Sequence, residues 1–308
     1  MWMKIANTGL LKTKKDDQMT FQTKLSKGDF VLLAELDTPK GVDISGLVTH
    51  ARHLKSRIDA VVIPGMDNGV MRMSALAGGA IIRQQGLEPL IHIYGRDRNQ
   101  MALQGDMLAA HVLGIHNLLV VQGESIANGD HPTAKQVDDL SEINLLAMVH
   151  SLQKGIDLAG FELMGKPEFF AGCQVQAIMD EADLDQEYIS ARAKVDAGAS
   201  YIIVPPVFDI ACYTPILNKF KSLNVPVIAT VFLLKNVGMA RYLSINDPAS
   251  KLSESLISRI RKAKDREREC INIAGEMMRA LKKEVQGIKI SALGWEDRLP
   301  AIMDSAGL

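Results

Sequence analysis

The sequence predicts an α/β protein built as a single (β/α)8 barrel, and three observations carry that prediction. Short continuous apolar runs recur along the chain, each opening into a polar loop, and eight of them can be traced. Segments with helical periodicity lie between successive runs, as parallel crossover units require. No shift in composition divides the 308 residues, a length that one large barrel accommodates. A doubly wound sheet is the alternative. It would normally carry a glycine-rich phosphate turn after its first strand, and Glu35 to Lys40 contains none.

Residues 1–28 read as an N-terminal extension, in which Met19 to Leu25 could form a short leading helix, and the barrel is assigned to 29–308. Phe30 to Ala34 is the first run, continuous as for a strand buried on both faces. Ile44 to Leu54 follows as a helix capped by Asp43, then a strand at Ala60 to Ile63 and a small-residue helix at Met73 to Gln85. Pro89 to Ile93 and Asn117 to Val121 are the next two strands. The helix between them is traced by Met101, Leu108, Val112 and Leu113 and stopped by Gly114. A polar loop from Ser125 to Thr133 leads to a helix near Ile143 to Lys154 and a strand at Phe169 to Val175. Glu187 to Ala197, Tyr201 to Val204, Ile210 to Leu223 and Pro226 to Thr230 continue the alternation. The amphipathic segment Leu252 to Lys283 is expected as an extra long helix before the last strand, Ile288 to Ser291, and Asp297 to Met303 closes the chain.

With 47% hydrophobic and 23% charged residues and a formal net charge of -1, the chain lacks the basic balance that nucleic acid or an anionic membrane would favour. Cys173, Cys212 and Cys270 are far apart and form no CxxC, which fits a reducing compartment and no metal knuckle. No apolar run approaches the roughly 20 residues of a membrane span. Lys4, Lys12, Lys14 and Lys15 precede no apolar core, so no secretory signal is read and a cytoplasmic location is expected. The seven histidines do not join carboxylates at metal-ligand spacing, so no metal is expected.

Ligands of parallel α/β folds bind at the carboxyl ends of the strands, and the polar residues there are the candidates. Glu35 follows five apolar residues; a carboxyl so placed has a raised pKa and can donate a proton, unless a nearby Arg or Lys holds it. His92 is either a ligand contact or a hydrogen-bonded core histidine. Arg96 and Arg98 flank Asp97, an arrangement that suits phosphate or carboxylate recognition or a helix-capping ion-pair cluster. Gln122 and Glu124 bracket Gly123, which permits close approach of a flat ring, or a plain turn. Gln174 and Gln176 share a strand face. Pro205-Pro206 shapes a wall without donating an N–H. Lys194 lies on a helix and by itself reads as solvated.

Four blocks, LLAELDTPKG, VIPGMDNGVMRMSALA, LEPLIHIYGRDRNQMALQGDMLAAHVLGIHNLLVVQGE and ARAKVDAGASYIIVPPVFD, resemble the methylenetetrahydrofolate reductase family, in its order and spacing from Leu32 to Asp209. The resemblance implies a flavin at the barrel mouth, FAD more than FMN, that passes hydride from NADH, NADPH or another donor to methylenetetrahydrofolate, in one-carbon and methionine metabolism. It implies that Glu35 protonates the folate and that Glu124 holds the pterin. His92, Arg96, Asp97, Gln122, Gly123 and Gln174 would lie with the flavin, Lys194 would lie near its phosphate, and Gln176, Pro205 and Phe208 would lie with the folate. Three positions depart from the family pattern. Gln122-Gly123-Glu124 stands where relatives have Arg-Gly-Asp or Thr-Gly-Asp, Pro205 replaces a glutamine, and CQVQA replaces a turn containing tyrosine or asparagine. These departures raise a second expectation: a folate-binding subunit of a homo-oligomer or hetero-complex, reduced by an electron-donor protein. A third reading, a binding module without catalysis, is disfavoured by the presence of Glu35.

Overall fold

A computed structural model describes residues 19–308, and the basic residues Lys4, Lys12, Lys14 and Lys15 lie outside that range. Eight parallel strands close in sequence order into a barrel: β1 Val31–Glu35, β2 Ala60–Ile63, β3 Pro89–Ile93, β4 Asn117–Val120, β5 Phe170–Gln174, β6 Ile202–Pro206, β7 Val227–Phe232 and β8 Gly287–Ser291. Around them run α1 Phe21–Ser26, α2 Ser45–Leu54, α3 Ala75–Gln84, α4 Gln100–Val112, α5 Glu142–Lys154 and α6 Glu181–Asp196, followed by α7 Ile210–Lys221, α8 Val237–Asn246, α9 Glu254–Lys262, α10 Arg266–Leu281 and α11 Leu299–Ala306. The (β/α)8 architecture expected from the alternation is the one found.

The strands are buried on both faces because helices cover the outside and side chains fill the inside. Alternate residues point inward, among them Val31, Leu33, Val62, Leu90, Leu119, Tyr201, Ile203 and Ile228. Helix α1 stoppers the N-terminal end of this interior. Thr20 caps it, its side-chain oxygen accepting from the Thr23 N–H, and Phe21 and Leu25 join the inner core. The Phe21 ring meets Phe170 at 5.7 Å and Tyr201 at 5.6 Å, both edge to face. Lys24 ties the helix to Asp59 at 2.6 Å.

Two helical expectations change. On α4 the buried face is Leu103, Met107 and Ala110, whereas Met101 and Val112 are 75% and 84% exposed. Both stripes satisfy a 3.6 period; packing against the strands selects the one that includes the small Ala110. The long helix expected over Leu252 to Lys283 is two helices. Ala263 takes an extended conformation, and the Asp265 side chain restarts the helix by accepting from the Arg268 N–H at 3.0 Å. Helix α9 then folds back on α10, where Arg259 bridges Glu269 at 2.5 Å and Glu276 at 2.6 Å. Among the described residues no helix is long and apolar enough to cross a membrane.

Candidate active site

Glu35 ends β1, and Lys289 and Ser291 lie two apart on the neighbouring β8, so both face it. The Lys289 ammonium donates to Glu35 Oε2 at 2.7 Å and the Ser291 hydroxyl to Oε1 at 2.6 Å. The Lys289 and Glu35 side chains are 9% and 12% exposed, so the pair sits at the rim of the interior with one edge toward the mouth. Burial pushes the Glu35 carboxyl up, but the charge and hydrogen bond of Lys289, the Ser291 hydroxyl and nearby His92 outweigh it and hold the carboxyl below its ordinary value. The raised pKa expected from the apolar run is therefore corrected. The alternative, a carboxylate held by a basic chain, is what forms.

His92 faces the same interior from β3. Its Nδ1 lies 3.2 Å from Asp67 Oδ2, on the loop after β2. Burial raises the Asp67 carboxyl, yet His92 and backbone N–H groups of its own loop hold it down to about 2. His92 Nε2 and Asp67 Oδ1 are buried without a partner, which leaves a donor or acceptor and an acceptor for a ligand.

Arg96 is spent inside the protein. Its Nε and one terminal nitrogen grip the Asp97 carboxylate at 2.6 and 2.9 Å; the remaining N–H groups donate to the carbonyls of Met66, Asp67 and Glu124 at 2.5, 3.0 and 2.5 Å. All five donors are used. The arginine staples the loops after β2 and β4 to β3, while Arg98 pairs with Asp106 at 2.9 Å. Both arginines are thus engaged in ion pairs within the protein.

The Glu124 N–H donates to the Asp67 carbonyl at 2.6 Å, and its side chain, like that of Gln122, is exposed. Gly123 between them sits at φ +79°, where a side chain would strain the turn. The following segment, Ser125 to Leu140, lies down on the neighbouring loops. Asp130 pairs with Lys40 and accepts from the Met71 N–H at 3.0 Å, and the Val137 N–H donates to the Arg96 carbonyl at 2.7 Å. Gly95 leaves the room for this, because a Cβ there would collide with the Leu140 carbonyl.

Lys194, on α6, is neither solvated nor free. It is 2% exposed, and its three N–H groups face Glu142 Oε1 at 2.9 Å, Glu187 Oε1 at 3.8 Å and the Gln174 carbonyl at 3.1 Å. Glu187 also accepts from the Gln176 N–H at 3.1 Å, so the triad fixes the end of β5. Burial raises the Glu142 carboxyl despite the adjacent ammonium. Pro205 and Pro206 end β6 with a register shift against β7, where the Thr230 hydroxyl donates to the Val204 carbonyl at 2.7 Å. Phe208 stands beyond them, edge to face with Phe232 at 6.3 Å and partly exposed.

A flavin nucleotide needs unspent donors for its phosphate. Arg96 and Lys194 offer none, and Gln122 stands where the resemblance calls for arginine or threonine. The two cations that the resemblance would place with a flavin, Arg96 and Lys194, are thus both already paired within the protein. The polar atoms left without a partner near Glu35 are His92 Nε2 and Asp67 Oδ1. The residues that sequence reasoning passed over here are Lys289, Ser291 and Asp67. A lysine between two isoleucines in the last strand, two residues from a serine, is the signal that points to the first two.

An eight-stranded parallel barrel carries its polar cluster at the carboxyl ends of β1, β3 and β8, where ligands of this fold class bind. The family model for methylenetetrahydrofolate reductase matches residues 20–307, and the chain belongs to that family. Among solved structures, an uncharacterised protein from Clostridium thermocellum that binds two copies of 5-methyl-5,6,7,8-tetrahydrofolic acid superposes with a TM-score of 0.65 at 13% identity. That match covers 92% of this chain and 97% of the other. A phosphonopyruvate hydrolase superposes with a TM-score of 0.53 at 10% identity over 93% of this chain and 85% of its own. At such identities these two show the shared barrel. No curated protein sequence matches the chain.

Proposed function

We propose that the chain is a folate-acting oxidoreductase that converts 5,10-methylenetetrahydrofolate to 5-methyltetrahydrofolate, taking hydride from a donor that arrives from outside: NADH, NADPH or a partner protein. Family membership supports a folate-related reductase. The observation that carries the finer reading is the Glu35 carboxylate at the end of β1, held by Lys289 and Ser291 beside the unpartnered Nε2 of His92. A neighbour in fold that binds methyltetrahydrofolate agrees with it.

In this reading the folate enters over β8, β1 and β3. Glu35 delivers the proton that opens the five-membered ring. His92 Nε2 and Asp67 Oδ1 take up hydrogen bonds of the pterin, and the Phe208 ring offers a stacking face. The exposed Glu124 carboxylate on the β4 loop contacts the amino edge of the pterin. Closure over the cluster would exclude water from the proton transfer.

The test is direct. Methylenetetrahydrofolate is incubated with the protein and each donor, and methyltetrahydrofolate is quantified by chromatography. Formation of methyltetrahydrofolate is expected, and Glu35→Gln should lower its rate about 100-fold or more while methyltetrahydrofolate still binds in calorimetry. Failure of the unaltered protein to bind any reduced folate would overturn the reading.

A further inference from the structure

We propose that Lys289 is a positioning residue that stores the proton Glu35 delivers, so that the acid of this site is a lysine–glutamate pair and not a protonated glutamate. The inference rests on the folate reading above. It comes from three geometric facts. Both Glu35 oxygens accept hydrogen bonds, from Lys289 at 2.7 Å and Ser291 at 2.6 Å, an arrangement that favours the carboxylate over the protonated acid. Of the two groups that donate to Glu35, the Lys289 ammonium is the one that can give up a proton, a serine hydroxyl being far less acidic. And Lys289 is 9% exposed with Glu35 its sole ion-pair partner among the described residues, which separates it from a surface lysine engaged with water.

The groups facing the pair come from several elements. Ser291 shares β8, His92 faces from β3, and Asp37, paired with Arg72 at 2.7 Å, lies on the loop after β1. None of these is a second cation in contact with Glu35. The proton balance is simple. Lys289 passes a proton to Glu35 Oε2, and the carboxyl passes it to the folate N10. The bond from the methylene carbon to N10 breaks, its electron pair staying on N10, and the N5 lone pair forms the N5=CH2 iminium. Lys289 is left as a neutral amine and recovers its proton from solvent. No electrons enter or leave in this step.

Two substitutions separate a proton store from a plain counter-charge. Arginine keeps the charge but does not release a proton. Lys289→Arg should therefore hold Glu35 ionised and lower turnover about 100-fold across the pH range, with methyltetrahydrofolate affinity within about threefold of the unaltered protein. Lys289→Met removes what holds the carboxylate down, so Glu35 in its apolar site becomes a protonated acid in its own right. Turnover of that variant should approach normal at acid pH and fall about 100-fold at alkaline pH, moving the alkaline limb of the kcat profile downward.

The carboxyl itself gives a readout that needs no turnover. Infrared difference spectra of Lys289→Met should show the carbonyl stretch of a protonated carboxyl at neutral pH. That band should be absent from the unaltered protein and from the double variant Glu35→Gln/Lys289→Met, which has lost both charges and controls for folding. Normal turnover in Lys289→Arg would overturn the proposal, as would a Lys289→Met profile lowered uniformly without a moved limb or the missing carboxyl band. If the unaltered protein turns over no folate with any donor, the functional reading fails while the infrared result still decides the state of the pair.

Discussion

At the scale of single residues the site is governed by partners and not by burial. Lys194 is buried and Glu35 and Asp67 are largely so, and each is fixed by an opposite charge or a hydrogen bond. For Asp67 this gives a pH dependence with a definite sign. Its carboxyl titrates near 2 in the fold against 3.8 ordinarily, so its stabilisation is present above about pH 4 and is lost as pH falls toward 2. The difference corresponds to roughly 2–3 kcal/mol. Asp67→Asn should lower stability by about that amount at neutral pH and flatten the acid limb of Tm against pH. The spent cations make a second prediction. Protein passed through a desalting column after incubation with FAD or FMN should emerge without flavin absorbance, because Arg96 and Lys194 are already paired; retention of one flavin per chain would contradict this. These partner relations were the least legible part of the sequence. Glu35 and Lys289 are 254 positions apart, and only closure of the barrel between β1 and β8 makes them neighbours.

At the scale of elements, what the sequence disclosed was strand existence and order, since continuous apolar runs have few other uses in an α/β chain. Helix phase was less legible. Met107 and Leu108 are adjacent, and the sequence alone cannot say which one faces β3 and β4. The division of the segment before β8 was hidden for another reason: Ala263 and Lys264 are good helix formers, and only the capping Asp265 betrays the restart. The segment Ser125 to Leu140 is polar and without period, yet it is held down by Asp130, Val137 and the bare backbone of Gly95. Gly95→Ala sets a methyl group against the Leu140 carbonyl and should release the segment. Limited proteolysis would then cut within 125–140 faster than in the unaltered chain, while the barrel's far-ultraviolet spectrum stays the same.

At the scale of the whole molecule, the barrel interior is closed at the N-terminal ends of its strands by α1. Phe21 and Leu25 are each 1% exposed, and burial of side chains of this kind contributes about 1.5–3 kcal/mol apiece. Removing residues 1–28 should therefore destabilise the protein by roughly 3–6 kcal/mol and raise binding of a hydrophobic dye at the uncovered Phe170 and Tyr201. A truncated chain that melts with the unaltered one would show that the stopper carries no weight.

The neutralised arginine and lysine around the mouth bear on the order of events. In the proposed reading, with hydride brought by a visiting donor, a barrel that keeps no carrier of its own would have nowhere to park it between one visitor and the next. On that reading donor and folate would have to be present together, face against face, each waiting on the arrival of the other. The exchange becomes a meeting, and its rate depends on both concentrations at once.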